Sequence, residues 1–196
     1  METLKDDLGR YLDGLNDALL WKLDGLGEYD LRRPLTPTGT NLLGLVKHVA
    51  GVEAGYLGEV FDRPFPERYP WMEDDAEDNA DMWATAEESA EWITDLFGRV
   101  RAHCSATIAA LDLDAEGYVP WWGEQNRHVT LGRILVHVTT EVARHAGHAD
   151  IVREKIDGAS GLRPSAMNLP TGDGEWWGRY TDRLERVARE VAAPTR

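Results

Sequence analysis

Apolar residues recur every three or four positions in four long segments, which is the spacing of one face of an α-helix. The segments are residues 2–24, 41–61, 86–113 and 130–157. Thr40 or Asn41 is expected to cap the second helix, a Thr85–Glu88 capping box the third, and Thr130 the fourth. No stretch shows the alternation of a β-strand. The pattern predicts an all-α protein built as a four-helix bundle.

The connections between these segments are long. Residues 62–85 combine prolines, aromatics and an acidic run, and loops of this length are uncommon in compact domains unless they are functional. We expect a surface excursion on which Trp71 and Trp83 fold back over the core. Residues 114–128 are expected to be non-helical. The bundle is predicted to span residues 1–160, with a C-terminal extension, 161–196, whose one helix (about 175–190) packs on it.

The composition of the chain argues against several classes of partner and location. With 21 basic and 35 acidic residues, the net charge is −14. That charge argues against nucleic acid and anionic membranes as partners, because no basic face is available. The single cysteine, Cys104, excludes an intramolecular disulfide framework and fits a reducing cytosol. The N-terminal order of charges is unlike a signal peptide, and no apolar run approaches the roughly 18 residues of a membrane span. We therefore expect a soluble, cytoplasmic protein.

The fourth segment holds the candidate chemistry. On a helical wheel Glu141 and His145 are one turn apart on or beside the buried stripe, and His137 and His148 lie at its rim. A carboxylate beside a core face needs a partner, because an unpaired buried charge is costly. A metal ion would suit Glu141 and His145 together; ordinary hydrogen bonding among these side chains fits the wheel equally well.

A metal site needs a third ligand from a neighbouring helix. His48 is the best candidate, because it lies in mid-helix at the edge of an apolar stripe. His103 and His128 are better explained as surface residues. Two histidines and one carboxylate with an open position suit zinc in a catalytic site, or nickel, iron or manganese.

Two segments carry a family resemblance: NLLGLVKHVAGVEAGYL and LGRILVHVTTEVARHAGHADIVREKIDG resemble the DinB-like superfamily. More narrowly, they resemble its branch related to mycothiol-dependent maleylpyruvate isomerase and mycothiol S-transferases. The resemblance covers roughly residues 1–160 and implies a metal, usually zinc, held by His48, Glu141 and His145. Many DinB-like relatives have a histidine where Glu141 stands, and the glutamate points to the mycothiol branch.

The residues around this set have two readings each. His137 either forms a hydrogen bond that orients the Glu141 carboxylate or is a histidine at the rim of the stripe, bonded to water or a neighbouring side chain. His148 either belongs to the site, as a support or at its mouth, or is a rim histidine with no role there. Arg153 forms a local ion pair with Asp150 or, less expected, helps to hold an anionic thiol cofactor. No residue is assigned as catalytic.

The expected reaction follows from the ion and the resemblance. Cys104 is predicted on a packed helix, so the nucleophile would come from a small molecule. The resemblance implies mycothiol, or another low-molecular-weight thiol, adding to an electrophile such as an epoxide, a halide or an unsaturated acid. The tryptophans of the connections would form an apolar wall for the electrophile: Trp71, Trp83, Trp121 and Trp122.

Two other functions remain open at this point. One is a metal-dependent hydrolase with His137 or His148 as general base. The other is a non-catalytic metal-binding protein with a stress or interaction role. A homodimer is expected from the resemblance, although no residue demonstrates it.

Overall fold

The computed structural model describes residues 3–73, 75–170 and 172–192. Its helices are α1 (Leu4–Leu20), α2 (Glu28–Arg32), α3 (Leu42–Tyr56), α4 (Ala90–Ala110), α5 (Leu131–Asp157) and α6 (Gly174–Ala192). Two strands, β1 (Glu116–Tyr118) and β2 (His128–Thr130), pair antiparallel. Single 3₁₀ turns lie at Trp21–Leu23, Glu59–Phe61, Pro70–Met72, Ala80–Met82 and Glu124–Asn126.

The long helices α1, α3, α4 and α5 form the bundle. Helix α3 packs against both α4 and α5, and α1 packs mainly along α5. Their facing leucines, valines and isoleucines make one core, for example Leu45, Leu96 and Ile134, which are fully buried. The prediction of an all-α fold is confirmed. Within the described part of the chain, none of the helices has the length and apolar character that a membrane crossing requires.

The helix starts agree with the sequence at two of the three predicted caps. The Asn41 side chain accepts a hydrogen bond from the Gly44 N–H at the start of α3, and Thr130 does the same for Arg133 at the start of α5. The predicted Thr85–Glu88 box is wrong as a helix start. Glu88 does accept from the Thr85 N–H at 2.8 Å, but α4 begins later, capped by Ser89.

The connection before α5 contains the small hairpin that the sequence pattern did not predict. Strands of three residues are too short to show alternation. Glycine is required at Gly117, where an added Cβ would lie 2.7 Å from the Phe61 ring. The hairpin leads directly into α5, and its loop carries Trp121 and Trp122 over the end of α3, where both indoles bond to Tyr56.

The connection between α3 and α4 is tied to the bundle by Lys47. This lysine is 1% exposed, and its ammonium donates to the Ala80 and Trp83 carbonyls at 3.0 and 2.9 Å. It also pairs with Glu88 at 2.8 Å. A buried ammonium must find such partners, because desolvation without them is costly. Lys47 therefore fixes the segment around residues 80–83 against α3.

A second buried charge-bearing group on α3 is Glu53, which is 1% exposed. Asn16 of α1 donates to its carboxylate at 2.7 Å. Burial raises the pKa of Glu53 to about 7, and the Asn16 hydrogen bond opposes that rise. The Asn16 Oδ1 atom has no partner among the described residues, and a protonated Glu53 carboxyl has an O–H that can donate to it. The neutral acid therefore suits this place better than the carboxylate.

The C-terminal end of α5 is hydrogen-bonded to the turn that follows α1. Arg153 pairs with Asp157 and donates to the Lys22 and Asp24 carbonyls at 2.7 and 2.9 Å. Asp150 pairs instead with Lys22 at 3.0 Å. The predicted Asp150–Arg153 ion pair is therefore wrong, because each of the two side chains has a closer partner of its own.

Helix α6 in the extension has no buried residue, and Leu184, Val187 and Val191 on it are at least half exposed. The sequence located this helix to within two residues at each end. That α6 packs on the bundle, and that the chain forms a homodimer, stay predictions.

The raised pKa of Glu53 predicts a pH-dependent stability. Its contribution is fully present below the unfolded-state pKa near 4.5 and is lost as the pH rises through about 7. Glu53→Gln removes this titration. We expect the fall in unfolding free energy between pH 5.5 and 8 to shrink by on the order of 1–2 kcal/mol in the variant.

Urea unfolding at the two pH values measures this difference, with Glu91→Gln, an exposed glutamate of α4, as the matched control. An equal pH dependence in the wild type and Glu53→Gln would show that Glu53 does not titrate in this range.

Candidate metal centre

Two of the three predicted ligands meet where α3 packs on α5. The rings of His48 and His145 are 4.6 Å apart between centroids and meet edge to face. Both side chains are partly buried, with 23% and 12% of their surfaces exposed. Histidines from two different helices thus converge on one place, as the sequence interpretation requires.

His48 is oriented by Asp81, a residue that the sequence interpretation missed. The His48 Nδ1 and Asp81 Oδ2 atoms are 2.6 Å apart. The hydrogen bond with His48 holds the pKa of Asp81 below its usual range, against the opposing effect of burial. With Nδ1 bonded to a carboxylate, the other ring nitrogen of His48 is the one left for a ligand. Carboxylate–histidine pairs of this kind commonly fix metal-binding imidazoles.

His145 is held as a neutral imidazole. Its pKa is lowered to about 4, mainly by burial and to a lesser degree by the neighbouring His48 and His148, whereas Glu141 opposes them. Its Nδ1 atom is buried and has no hydrogen-bond partner among the described residues. A neutral ring with an unpartnered nitrogen is the form in which histidine binds a metal. The other ring nitrogen, Nε2, is the one that faces Glu141.

Glu141 lies beside His145, but these two side chains and His48 do not form a complete set of metal ligands. Its Oε2 atom is 3.6 Å from His145 Nε2, too far for a hydrogen bond. Over residues 3–73, 75–170 and 172–192, no three histidine, cysteine, aspartate or glutamate side chains are arranged to hold a metal ion together. The donor types and the orphaned nitrogen of His145 fit a divalent ion, and the ligand set His48, Glu141 and His145 stays a prediction.

The two supporting histidines lie on opposite sides of this pair along α5. His148 is exposed, and its ring is 5.4 Å from that of His145. His137 packs its ring against Tyr56 and Trp122, at 4.7 and 4.9 Å. No hydrogen bond between His137 and Glu141 is present in the described structure, so the support of Glu141 by His137 stays a prediction.

The other candidate residues have structural partners. His103 bonds to the Arg63 carbonyl at 2.7 Å, and the His128 ring lies against Tyr118. Arg153 is 7% exposed and directs its guanidinium at Asp157 and two backbone carbonyls. These contacts do not favour the suggestion that Arg153 holds a thiol cofactor, which stays untested.

A cavity of about 500 Å³ is bordered by Asp81, the residue that orients His48. The two histidines themselves are not among the residues that line it. Its aromatic lining comes from Tyr56, Phe65, Trp71 and Trp121. Trp83 lines a different cavity on the outer side of the 62–89 segment. Of the predicted tryptophan wall, Trp71 and Trp121 line the space beside the site, Trp122 braces Tyr56, and Trp83 faces elsewhere.

Cys104 cannot supply the nucleophile. The thiol is buried on α4 and donates to the Glu53 carbonyl at 3.4 Å. Burial, and to a lesser degree the nearby Glu53, raises the pKa of Cys104 well above its usual range. A thiol in that state is not a thiolate at neutral pH. Any sulfur that reacts at this site must therefore come from a small molecule.

Comparison with known proteins places the chain in context. A family model described as Mycothiol-S-transferase matches residues 7–158, a span that contains His48, Glu141 and His145. A conserved protein from Enterococcus faecalis, known from its crystal structure, is similar in fold. The TM-score is 0.59 over 81% of this chain and 99% of that one, at 16% identity, a level that shows the fold alone. No curated protein matches the chain.

The site predicts about one divalent metal per chain. Elemental analysis after expression with supplemented zinc and nickel should find it, and His48→Ala, Glu141→Ala and His145→Ala should each lose it. His128→Ala, which removes an exposed histidine, is the matched control. Absence of metal from the wild type, or full occupancy in all three variants, would contradict the assignment.

The contact between Asp81 and His48 generates a separate prediction. Asp81→Asn should weaken metal binding by about 10- to 100-fold, the usual effect of losing a carboxylate that orients a ligating histidine. Competition with a chromogenic chelator measures the affinity, and Asp78→Asn in the same loop is the control. An unchanged affinity in Asp81→Asn would show that this carboxylate does not support the site.

Proposed function

Because the chain belongs to the mycothiol-S-transferase family, we propose that it is a metal-dependent S-transferase. It joins a low-molecular-weight thiol, with mycothiol the first candidate, to a small electrophile. The observation that carries this proposal is the partly buried pair of His48 and His145 where α3 packs on α5, together with Asp81, which bonds to His48 and borders a cavity of ligand size.

Four residues of the chain would have separate roles in binding the metal. Asp81 holds the Nδ1 proton of His48 and so leaves the other nitrogen free for a metal. Burial keeps His145 uncharged at neutral pH. Together with Glu141 these residues would hold a divalent ion, most simply zinc, with nickel, iron or manganese as alternatives. When bound, such an ion stabilises the thiolate form of a thiol at neutral pH.

The state of Cys104 is the reason that the proposed reaction needs a thiol from outside the chain. Cys104 is the only cysteine of the chain, and its buried and protonated state excludes it as a nucleophile. The thiol would therefore arrive as a substrate, and the electrophile would enter the cavity that Tyr56, Trp71 and Trp121 line. The aromatic side chains would limit the access of water, which competes with the thiol for the electrophile.

The two alternatives have less support. A hydrolase needs a general base beside the site, but the His137 ring faces Tyr56 and Trp122, and His148 lies exposed on the outer side of His145. A non-catalytic metal protein would be expected to close the site, whereas here a cavity of about 500 Å³ reaches Asp81.

The proposal predicts that thiol binding depends on the metal. Isothermal calorimetry with mycothiol, bacillithiol and glutathione, each titrated into the zinc-loaded and the metal-free protein, tests it. We expect mycothiol to bind the zinc form at least about tenfold more tightly than the metal-free form, since a coordinated thiolate is lost with the ion. His145→Ala should behave as the metal-free protein does, and His128→Ala as the wild type.

Three outcomes separate the functions. Equal or absent mycothiol binding in both forms would reject the thiol transferase. Metal content without thiol binding, together with metal-dependent ester or amide hydrolysis, would favour the hydrolase. Metal content with neither property would favour the non-catalytic protein.

A further inference from the structure

Two indoles form walls of the cavity that Asp81 borders. Gly51 and Gly55 are one turn apart on α3, and an indole packs against each of them. A Cβ on Gly51 would meet Trp71 Cζ3 at 3.1 Å, and a Cβ on Gly55 would meet Trp121 Cη2 at 3.6 Å. The two tryptophans therefore lie close to the bare helix backbone and border one cavity. Aromatic walls of this kind suit a flat ring.

Tyr56 gives this cavity a hydrogen-bond donor. Its hydroxyl oxygen accepts from Trp121 Nε1 at 3.1 Å and from Trp122 Nε1 at 2.8 Å. These two bonds use both lone pairs of the oxygen, so the hydroxyl can act further only as a donor. In the described residues no acceptor takes that proton. A ligand oxygen in the cavity can therefore receive a hydrogen bond from Tyr56.

The charges around the cavity select against anions. Four lining residues are acidic, namely Glu59, Glu67, Glu73 and Asp81, and one is basic, Arg68. Arg68 is already shared between Glu59 and Glu73, at 3.4 and 4.0 Å. Glu67 is neutralised by Arg99 at 2.8 Å. Arg68, which is 58% exposed, can offset only one of the two carboxylates near it, so the lining keeps a net negative charge that would repel a ligand carboxylate.

We infer that this cavity, the aromatic slot of Gly51, Gly55, Tyr56, Trp71 and Trp121, binds the electrophile through an uncharged aromatic ring that bears an oxygen acceptor. The inference rests on the proposed function, in which a thiol is the other substrate. It selects among electrophiles: a neutral aryl epoxide or benzyl halide with a carbonyl or ether oxygen at the opposite end of its ring fits the slot, and an unsaturated dicarboxylic acid does not.

The position of the slot sets which end of the ligand carries the acceptor. Tyr56 follows His48 by eight residues on α3, a rise of about 12 Å at 1.5 Å per residue. The oxygen that accepts from Tyr56 is therefore on the end of the ring remote from the reactive carbon. The reactive end is then left for the side of Asp81 and the histidine pair, where the thiol is expected.

Unreactive probes test the slot without turnover. Ligand-observed NMR titrations of the full-length, zinc-loaded protein would use acetophenone (ring and acceptor), ethylbenzene (ring alone) and benzoate (ring and negative charge). We expect acetophenone to bind at least about tenfold more tightly than benzoate. Tyr56→Phe should weaken acetophenone about three- to tenfold, the value of one neutral hydrogen bond, and leave ethylbenzene unchanged.

A second variant guards against indirect effects, because Tyr56 also positions two indoles. Gly55→Leu extends a side chain from a position already in contact with Trp121, so it displaces that wall of the slot and should abolish binding of acetophenone and ethylbenzene alike. The controls are Tyr11→Phe on the exposed face of α1, and Gly147→Leu, whose added Cβ meets no atom within 4 Å.

The outcomes are distinct. Benzoate binding as tightly as acetophenone, or binding unaffected by both Tyr56→Phe and Gly55→Leu, would overturn the inference. S-methylmycothiol, an unreactive analogue of the thiol substrate, tests whether the thiol occupies the slot instead. If it binds together with acetophenone, the slot belongs to the electrophile; if it displaces acetophenone, the slot belongs to the thiol and the inference is wrong. Probe binding that follows the expected pattern while thiol binding fails would reject the proposed function alone.

Discussion

The burial of α3 is the constraint on which the rest of the structure depends. This helix is packed on nearly all sides, yet it carries Lys47, His48 and Glu53, and buried polar groups must have partners. Each partner comes from a different part of the chain. Lys47 donates hydrogen bonds to the 62–89 segment. His48 bonds to Asp81 and contacts the His145 ring. Glu53 accepts a hydrogen bond from Asn16 of α1. The polar residues of one helix thus hold the loop, the candidate site and the core together.

Stability and function share the same contacts in this arrangement. Lys47 bonds to the carbonyls of Ala80 and Trp83, on either side of Asp81, so the ammonium that anchors the loop also places the carboxylate that orients His48. The same segment contributes Trp71 to the cavity. On the other side, the hairpin before α5 brings Trp121 and Trp122 to Tyr56. Two irregular connections therefore complete a site whose proposed metal ligands lie on regular helices.

Helical periodicity was sufficient to predict the four bundle helices, and wheel geometry correctly put Glu141 and His145 on one side of α5. The family resemblance agreed with His48 as their neighbour from α3. Asp81 and Glu53 could not be predicted in the same way. Asp81 lies in a long loop whose path is set by Lys47, and Glu53 is matched by an Asn16 that is 37 positions away. The late start of α4 was not predictable from the local pattern either, because Glu88 accepts from the Thr85 N–H as in a capping box, yet Ser89 is the residue that caps the helix.

The central claim is that His48, Glu141 and His145 hold an ion that receives sulfur from a small molecule. X-ray absorption at the zinc edge, on protein with and without saturating mycothiol, tests this most directly. The account predicts imidazole and oxygen neighbours alone in the free protein and one added sulfur neighbour at about 2.3 Å with the thiol. Since Cys104 is buried on α4, that sulfur cannot come from the chain. A spectrum without imidazole scattering, or one that mycothiol leaves unchanged, would contradict the account.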